Sequence, residues 1–248
     1  MNASSPAPSA PAPAALTVVP IRGIPEIHPG DELADLVAAA ASAQDTPLRD
    51  GDCVVVTQKV VSKAEGRLVD IDPDDRAARR ALVESEAVRV VRRRGDLLIT
   101  ETRHGFVCAN SGVDLSNVDH GRAALLPVDA DRSARHIRDA LRARHGVSVA
   151  IVVSDTFGRP WRVGLTDVAI GVCGLVALLD LRGETDALGR VLQVTEVAIA
   201  DEVAGAAELV MGKSQGVPAA LVRGLEPAWF GEGSVRDLVR PPGEDLFR

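Results

Sequence analysis

The chain has 248 residues, 46% of them hydrophobic, which is enough apolar material for one large domain or two small ones. A net charge of −7, no tyrosine, four Phe and two Trp exclude a broad nucleic-acid face that stacks bases. No apolar stretch reaches membrane-spanning length, and the Pro/Ala/Ser-rich residues 1–15 lack the charged and apolar regions of a signal peptide. We expect a cytoplasmic protein with a disordered tail over residues 1–15.

The three cysteines indicate a reducing compartment. Cys53, Cys108 and Cys173 are odd in number, far apart and surrounded by apolar neighbours. This pattern predicts buried thiols rather than a disulfide framework.

The first hundred residues predict strands and helices in turn. Residues 16–21 predict a strand, and Asp31 is expected to cap the Ala-rich helix that follows. Residues 53–56 predict a second strand, followed by a polar loop. The acids and proline of residues 72–75 predict a helix that runs to the arginine cluster 92–94, where positive charge suits a helix end.

The remaining elements are mostly strands. They are expected at residues 97–100, 106–109, 123–126, 147–153 and 219–222. A helix capped by Asp129 or Asp131 should end at Gly146, and residues 194–211 predict a long helix that Gly212 ends. The apolar residues 168–181 fit a strand or a helix equally well.

Two polar segments follow apolar runs and concentrate reactive groups. Asp114 lies in the first segment and Asp155 in the second, each expected in a loop at a strand end. Such loops are where α/β proteins commonly bind ligands, so the two carboxylates could converge on one divalent cation. The alternative is that these residues only form turns, which Asp, Asn, Ser and Gly favour on their own.

Other catalytic patterns are absent from the sequence. There is no GxxxxGK[ST] phosphate loop, no GxGxxG dinucleotide fingerprint, no GxSxG nucleophile elbow, and no His spacing that suits zinc. Gln58, Lys59 and Lys63 fit either a solvated helix face or a phosphate-binding segment.

Six ordered motifs resemble the coenzyme F420:L-glutamate ligase family, as found in actinobacterial F420 biosynthesis proteins. The resemblance extends from Pro20 to about Gly233. The motifs are Pro20-Ile-Arg-Gly-Ile-Pro25, Val61-Ser-Lys-Ala-Glu-Gly-Arg67, Asn110-Ser-Gly-Val-Asp-Leu-Ser-Asn117, Val153-Ser-Asp-Thr-Phe-Gly-Arg159, Ala200-Asp-Glu202 and Pro218-Ala-Ala-Leu-Val-Arg-Gly224.

The resemblance implies a GTP- and metal-dependent ligase that adds L-glutamate through γ-linkages to coenzyme F420-0. It implies divalent cations, Mg²⁺ or Mn²⁺, at Asp114, Asp155 and Thr156, and it adds a monovalent cation such as K⁺. The implied GTP contacts are Ile24, Pro25, Glu26, Ile27, Gln58, Lys59, Lys63, Asn117, Met211, Gly212, Lys213, Ser214, Gln215, Gly216 and Val217.

The implied fold is a mixed α/β (α+β) structure of two lobes over residues 16–233, assembled as an intertwined homodimer. Residues 234–248 have a linker-like composition, and longer relatives continue into a flavin-binding, nitroreductase-like domain. Lys213 departs from the archaeal pattern, which has an acidic metal ligand at about this place. A protonated lysine cannot bind a metal, so either a ligand is lost or the lysine supplies charge at the phosphates.

The implied reaction assigns roles to a few residues. Asp114, Asp155 and Lys63 are the predicted catalytic residues, and Arg159 and Arg162 are predicted to bind the carboxylates of glutamate or of the growing tail. A metal-dependent phosphohydrolase and a non-catalytic GTP-binding module are the alternatives. We expect no nucleic-acid or membrane partner.

Overall fold

The computed structural model describes residues 15–116 and 120–246, and these residues form a mixed α/β fold, as predicted. The strands are β1 (Thr17–Ile21), β2 (Cys53–Thr57), β3 (Leu68–Asp70), β4 (Ala87–Arg94), β5 (Leu97–Thr102), β6 (Val107–Ala109), β7 (Arg122–Ala124), β8 (Ala150–Gly158), β9 (Leu165–Cys173), β10 (Leu179–Asp180), β11 (Glu196–Val197) and β12 (Ala219–Arg223). The helices are α1 (Leu33–Ala43), α2 (Gln58–Ala64), α3 (Arg76–Ser85), α4 (Ala130–His145) and α5 (Ile199–Met211). Except for Ala15, the predicted tail lies outside the described residues.

A five-stranded sheet in the order β1-β12-β2-β8-β9 forms the centre of the fold, and β2 and β8 are its parallel pair. Successive residues of a strand point to opposite faces. Accordingly, Val54 and Val56 pack with α1 and α4, whereas Cys53 and Val55 pack with α5. We call these two sides the α4 face and the α5 face.

Three smaller sheets surround this centre. β3 pairs with β7, β10 pairs with β11, and β4, β5 and β6 form an antiparallel sheet, against which α3 packs. The segment between β6 and β7 carries Asp114, whose main chain bridges Ala124 at the end of β7. The connection between two of the smaller sheets therefore positions Asp114, the first of the two predicted carboxylates.

The predicted helix over residues 72–94 is wrong in its second half. α3 ends at Ser85, and residues 87–94 form β4, which pairs with β5. Valine and arginine dominate that segment, and β-branched valine favours a strand once an antiparallel partner is available. The arginine cluster thus lies on a strand and not at a helix end.

Three other predictions differ from the structure, and one segment that was left open is now assigned. Glu32 precedes α1, while the Asp31 carboxylate accepts a hydrogen bond from the His28 backbone N–H at 2.7 Å. The polar segment after β2 is helix α2 and not a loop. The last predicted helix begins at Ile199, and residues 168–173, which fitted either element, belong to strand β9.

The structure confirms the predicted cap and end of α4 and the predicted burial of the cysteines. Asp129 caps α4 by accepting a hydrogen bond from the Arg132 N–H at 3.0 Å, and Gly146 ends that helix in the left-handed conformation. All three cysteines are free and buried. In residues 15–116 and 120–246, no helix is long and apolar enough to span a membrane.

Candidate functional site

The predicted site residues gather around the carboxyl ends of the parallel strands β2 and β8. Thr57, at the end of β2, pairs with Ser154 of β8, and α2 begins at the next residue. This position follows from the sequence, because both strands end their apolar runs here and polar residues follow. The carboxyl edge of parallel strands is where open α/β sheets commonly bind ligands.

Asp114 is held by a lysine from α2. The Lys59 ammonium lies 2.9 Å from the Asp114 carboxylate and 3.0 Å from the Ser116 hydroxyl. The Ser116 N–H donates to the same carboxylate at 2.7 Å. Burial opposes ionisation, but the hydrogen bonds from Lys59 and Ser116 prevail and hold the pKa of Asp114 below its usual value. Asp114 is therefore a carboxylate at neutral pH.

Asp155 lies on β8, on the α4 face. The strand does not end before it, as was predicted, but continues to Gly158 because residues 154–158 pair with β9. Burial, together with the negative charges of Asp114 and Asp167, raises the pKa of Asp155 to about 7, against a hydrogen bond from the Thr156 N–H and the positive charge of Lys59. Asp155 thus lies close enough to Asp114 and to Asp167 for their charges to disfavour its ionisation.

Thr156 lies on the opposite side of the strand, in a second charged cluster on the α5 face. Its hydroxyl donates to the Asp167 carboxylate at 2.6 Å, and the Ser154 hydroxyl donates to the same group at 3.0 Å. The Lys213 ammonium contacts the Thr156 hydroxyl and lies 2.8 Å from Asp167 and 2.9 Å from Glu208. These two carboxylates outweigh burial and raise the pKa of Lys213, so it stays protonated.

Asp167 and Glu208 are the residues that the sequence analysis missed. Asp167 is almost fully buried, and its backbone N–H donates to Glu208 at 3.1 Å. A single acid at the start of an apolar run was the available signal, because buried carboxylates are rare unless they are paired.

The remaining predicted nucleotide contacts are spread over three segments. Lys63 of α2 forms an ion pair with Glu26, which brings the segment 24–27 against α2. The buried Gln58 amide donates to the Ser62 hydroxyl at 2.7 Å and to the Leu125 carbonyl at 2.9 Å. Ile27 lies in the core. Lys63 and Glu26 are therefore the charged side chains among Gln58, Lys63 and the segment 24–27.

The predicted loop 211–217 contains core residues at both ends. Met211 and Val217 are buried on the α5 face, whereas residues 212–216 between them are exposed. Lys213 is the member of this loop that contacts the charged cluster. Asn117 lies outside the described residues.

Arg159 and Arg162 do not contact the Asp114 or Asp155 carboxylates in the described chain. Both are exposed in the turn between β8 and β9, and Arg159 donates to the Val163 carbonyl of the same turn at 2.8 Å. In the described chain, neither has a hydrogen bond or ion pair with Asp114 or Asp155. Their predicted role in substrate binding stays a prediction.

A cavity of about 240 Å³ adjoins the Asp114 segment. Val113 and Leu115, on either side of Asp114, form part of its wall, together with Arg76 and Arg79 of α3. It offers a small, partly apolar space with arginine side chains in its wall, and neither Asp114 nor Asp155 lines it.

The donor set of the α4 face fits a hard divalent cation. Carboxylate oxygens are the ligands that Mg²⁺ and Mn²⁺ prefer. Among the described residues, Asp155 has no lysine, arginine or histidine within salt-bridge distance, so its charge lacks a direct partner. The same residues contain no group of three His, Cys, Asp or Glu side chains arranged to hold a metal. A cation here would therefore rely on additional ligands.

These features define the class of the protein. It is a mixed α/β protein whose charged site lies at the carboxyl end of its parallel strands, the edge at which α/β enzymes commonly bind their ligands.

Comparison with known proteins narrows this class to one family. Residues 22–224 match the family model described as F420-0:gamma-glutamyl ligase. The chain is 42% identical to the coenzyme F420:L-glutamate ligase of Methanothermobacter thermautotrophicus, over 94% of this chain and 99% of that protein. It is also 42% identical to the protein of the same name from Methanopyrus kandleri, over 94% of this chain and 98% of that one. The chain therefore belongs to the F420-0:gamma-glutamyl ligase family and is an enzyme of the ligase class.

Proposed function

We propose that this enzyme is a GTP- and metal-dependent ligase that joins L-glutamate to coenzyme F420-0 through γ-linkages. The observation that carries the proposal is the coupled set of Asp114, Asp155 and Lys59 at the carboxyl ends of β2 and β8. The relatives named coenzyme F420:L-glutamate ligase, which match nearly the full chain, support the substrates.

Amide formation requires that the carboxylate be activated first. The terminal carboxylate of the acceptor attacks the γ-phosphorus of GTP, so that an acyl phosphate forms and GDP leaves. The glutamate amine then attacks the acyl carbon, inorganic phosphate leaves, and the amine loses a proton. In such reactions the protein mainly positions the reactants and neutralises phosphate charge.

The charged residues divide this task between them. Asp114 and Asp155 would hold Mg²⁺ or Mn²⁺, and the cation would neutralise the charge of the triphosphate. Thr156, the third predicted ligand, faces the other side of β8 and would have to leave Asp167 and Lys213 to join them. Lys59 is already oriented by Asp114 and Ser116, so it enters the reaction with little ordering cost. Lys63, which pairs with Glu26 in this structure, is the second phosphate ligand.

Three further parts of the proposal complete it: the role of the arginines follows from their charge, and the other two come from the resemblance. Arg159 and Arg162 bind a substrate carboxylate, K⁺ assists the reaction, and the enzyme works as a homodimer. Sedimentation measurements test the dimer, and replacement of K⁺ by Na⁺ in the assay tests the monovalent ion.

Product analysis by mass spectrometry tests the reaction. The full chain is incubated with F420-0, glutamate, GTP and Mn²⁺, and GTP, glutamate and metal are then omitted in turn. We expect added glutamyl units only in the complete mixture, with GDP release that requires both F420-0 and glutamate. GDP release without either substrate would indicate a phosphohydrolase, and GTP binding without any product would indicate a binding module.

A pair of matched variants tests the site. Asp155→Asn keeps the size of the side chain but removes its charge, and we expect turnover to fall at least about 100-fold, since electrostatic groups of this kind contribute that much. Asp74→Asn makes the same change at an exposed position near α3, and we expect it to behave as wild type. Normal turnover of Asp155→Asn with saturating metal would contradict the proposed site.

A further inference from the structure

The charged groups at the end of β8 form two clusters, one on each face of the strand. On the α4 face, Lys59 forms an ion pair with Asp114, and its charge also acts on Asp155 at longer range. On the α5 face, Asp167 and Glu208 share one lysine, Lys213. Each cluster therefore has two carboxylates and one ammonium group.

The two lysines are placed differently. Lys59 bonds to Asp114 and Ser116, which leaves Asp155 without a salt bridge among the described residues. Lys213 instead contacts three oxygen-bearing side chains, Asp167, Glu208 and Thr156. Two carboxylates and a hydroxyl are also a suitable ligand set for a hard divalent cation. The ammonium group thus stands where such a cation would bind.

The end of α5 adds to the negative potential at this point. The helix ends at Met211 and has no basic residue in its last turn, so its terminal carbonyl groups are not balanced from within the helix. Lys213 follows two residues later. A cation at a helix C-terminus is stabilised by the helix dipole, which provides an independent reason for positive charge here.

We propose that the Lys213 ammonium occupies the position that a second divalent cation would take on the α5 face. The chain itself then binds one divalent cation, on the α4 face, with Asp114 and Asp155. This inference rests on the proposed function, because the divalent cation is part of it. Lys213 acts as a positioning residue: it offsets one of the two negative charges of Asp167 and Glu208 and so lowers the net charge of the β8 edge without a second metal ion.

Titration of Mn²⁺ into the metal-free full chain, without nucleotide, tests this inference. Electron paramagnetic resonance measures the free Mn²⁺ and so gives the number of ions bound per chain. We expect one in the wild type and two in Lys213→Gln, which removes the charge and frees the three oxygen-bearing side chains. The double variant Lys213→Gln, Glu208→Gln should return to one, because the second site has lost a carboxylate.

A control variant and the number of bound ions distinguish a wrong role for Lys213 from a wrong metal site in the proposed function. Arg89→Gln removes a charge from an exposed ion pair with Glu101 on β4, outside the site, and it should bind one ion like the wild type. Two ions per wild-type chain, or one ion in Lys213→Gln, would overturn the role of Lys213 and leave the proposed reaction intact. No bound ion in either protein would overturn this inference together with the metal site of the proposed function. Circular dichroism of each variant confirms that it is folded.

Discussion

Replacement of Asp155 by asparagine should make the metal-free protein more stable, although it damages the site. Burial raises the pKa of this carboxyl from its ordinary value of 3.8 to about 7, so the folded state resists its ionisation. Asparagine has the same shape and no charge to bury. The buried charge that binds a cation is therefore a cost when the cation is absent.

The size of the effect follows from the pKa. A rise from 3.8 to about 7 corresponds to roughly 4 kcal/mol, since one pKa unit is worth about 1.4 kcal/mol. Because the folded state holds the proton more tightly, stability falls as the pH rises from 3.8 to about 7 and is constant above that. The advantage of Asp155→Asn should be roughly 1–2 kcal/mol at pH 5 and about 4 kcal/mol at pH 8.

Urea unfolding of both proteins in the presence of a chelator, at pH 5 and pH 8, measures this difference. Comparison of the variant with the wild type cancels the other titrating groups. Saturating Mn²⁺ should reverse the order, because only the wild type gains stability from a cation bound at Asp155. A stability difference that does not change between the two pH values would refute the reasoning.

Two substitutions and one labelling experiment test the packing, a buried ion pair and a buried thiol of the fold. Gly171→Ala should cost about 1–3 kcal/mol in unfolding free energy, because the added Cβ would lie 2.4 Å from the Ala130 carbonyl group, whereas Gly158→Ala meets no atom within 4 Å and is its control. Asp52→Ala should cost about 3 kcal/mol, because Asp52 is buried and accepts two hydrogen bonds of 2.7 Å from Arg223, which loses its carboxylate partner although it keeps its hydrogen bond to the Pro47 carbonyl. Both costs are measured by urea unfolding, and a loss below about 0.5 kcal/mol would contradict either explanation. Cys108 should resist iodoacetamide at pH 8 until the protein unfolds, since burial raises the pKa of its thiol to about 12, and labelling followed by mass spectrometry would reveal early reaction.

Local sequence signals predicted the central elements well. The apolar runs at β2 and β8 and the cap of α4 at Asp129 are encoded within a few residues, so they can be read without the fold. The segment after α3 could not be read in this way. Its valines and arginines fit a helix end or a strand, and pairing with β5, a non-local contact, decides between them.

The site was predictable in its outline but not in its arrangement. Asp114 and Asp155 follow apolar runs and lie close enough for the charge of Asp114 to affect Asp155, while their convergence on one cation stays a prediction. Asp167 was not found, because its importance depends on the register between β8 and β9, which places it directly opposite Thr156. The sequence contains no local signal of that register.

The continuation of β8 through Asp155 changes how the site must be understood. In a loop, Asp155 and Thr156 could turn their side chains toward the same ion, but adjacent residues of a paired strand point to opposite faces. The Thr156 hydroxyl is bonded to Asp167 and Lys213 on the α5 face. For this hydroxyl to join a cation bound at Asp155, these bonds would have to break and the strand would have to twist. The end of β8 therefore gives the two residues different roles. Asp155 faces the predicted cation on the α4 face, and Thr156 contacts Lys213 on the α5 face.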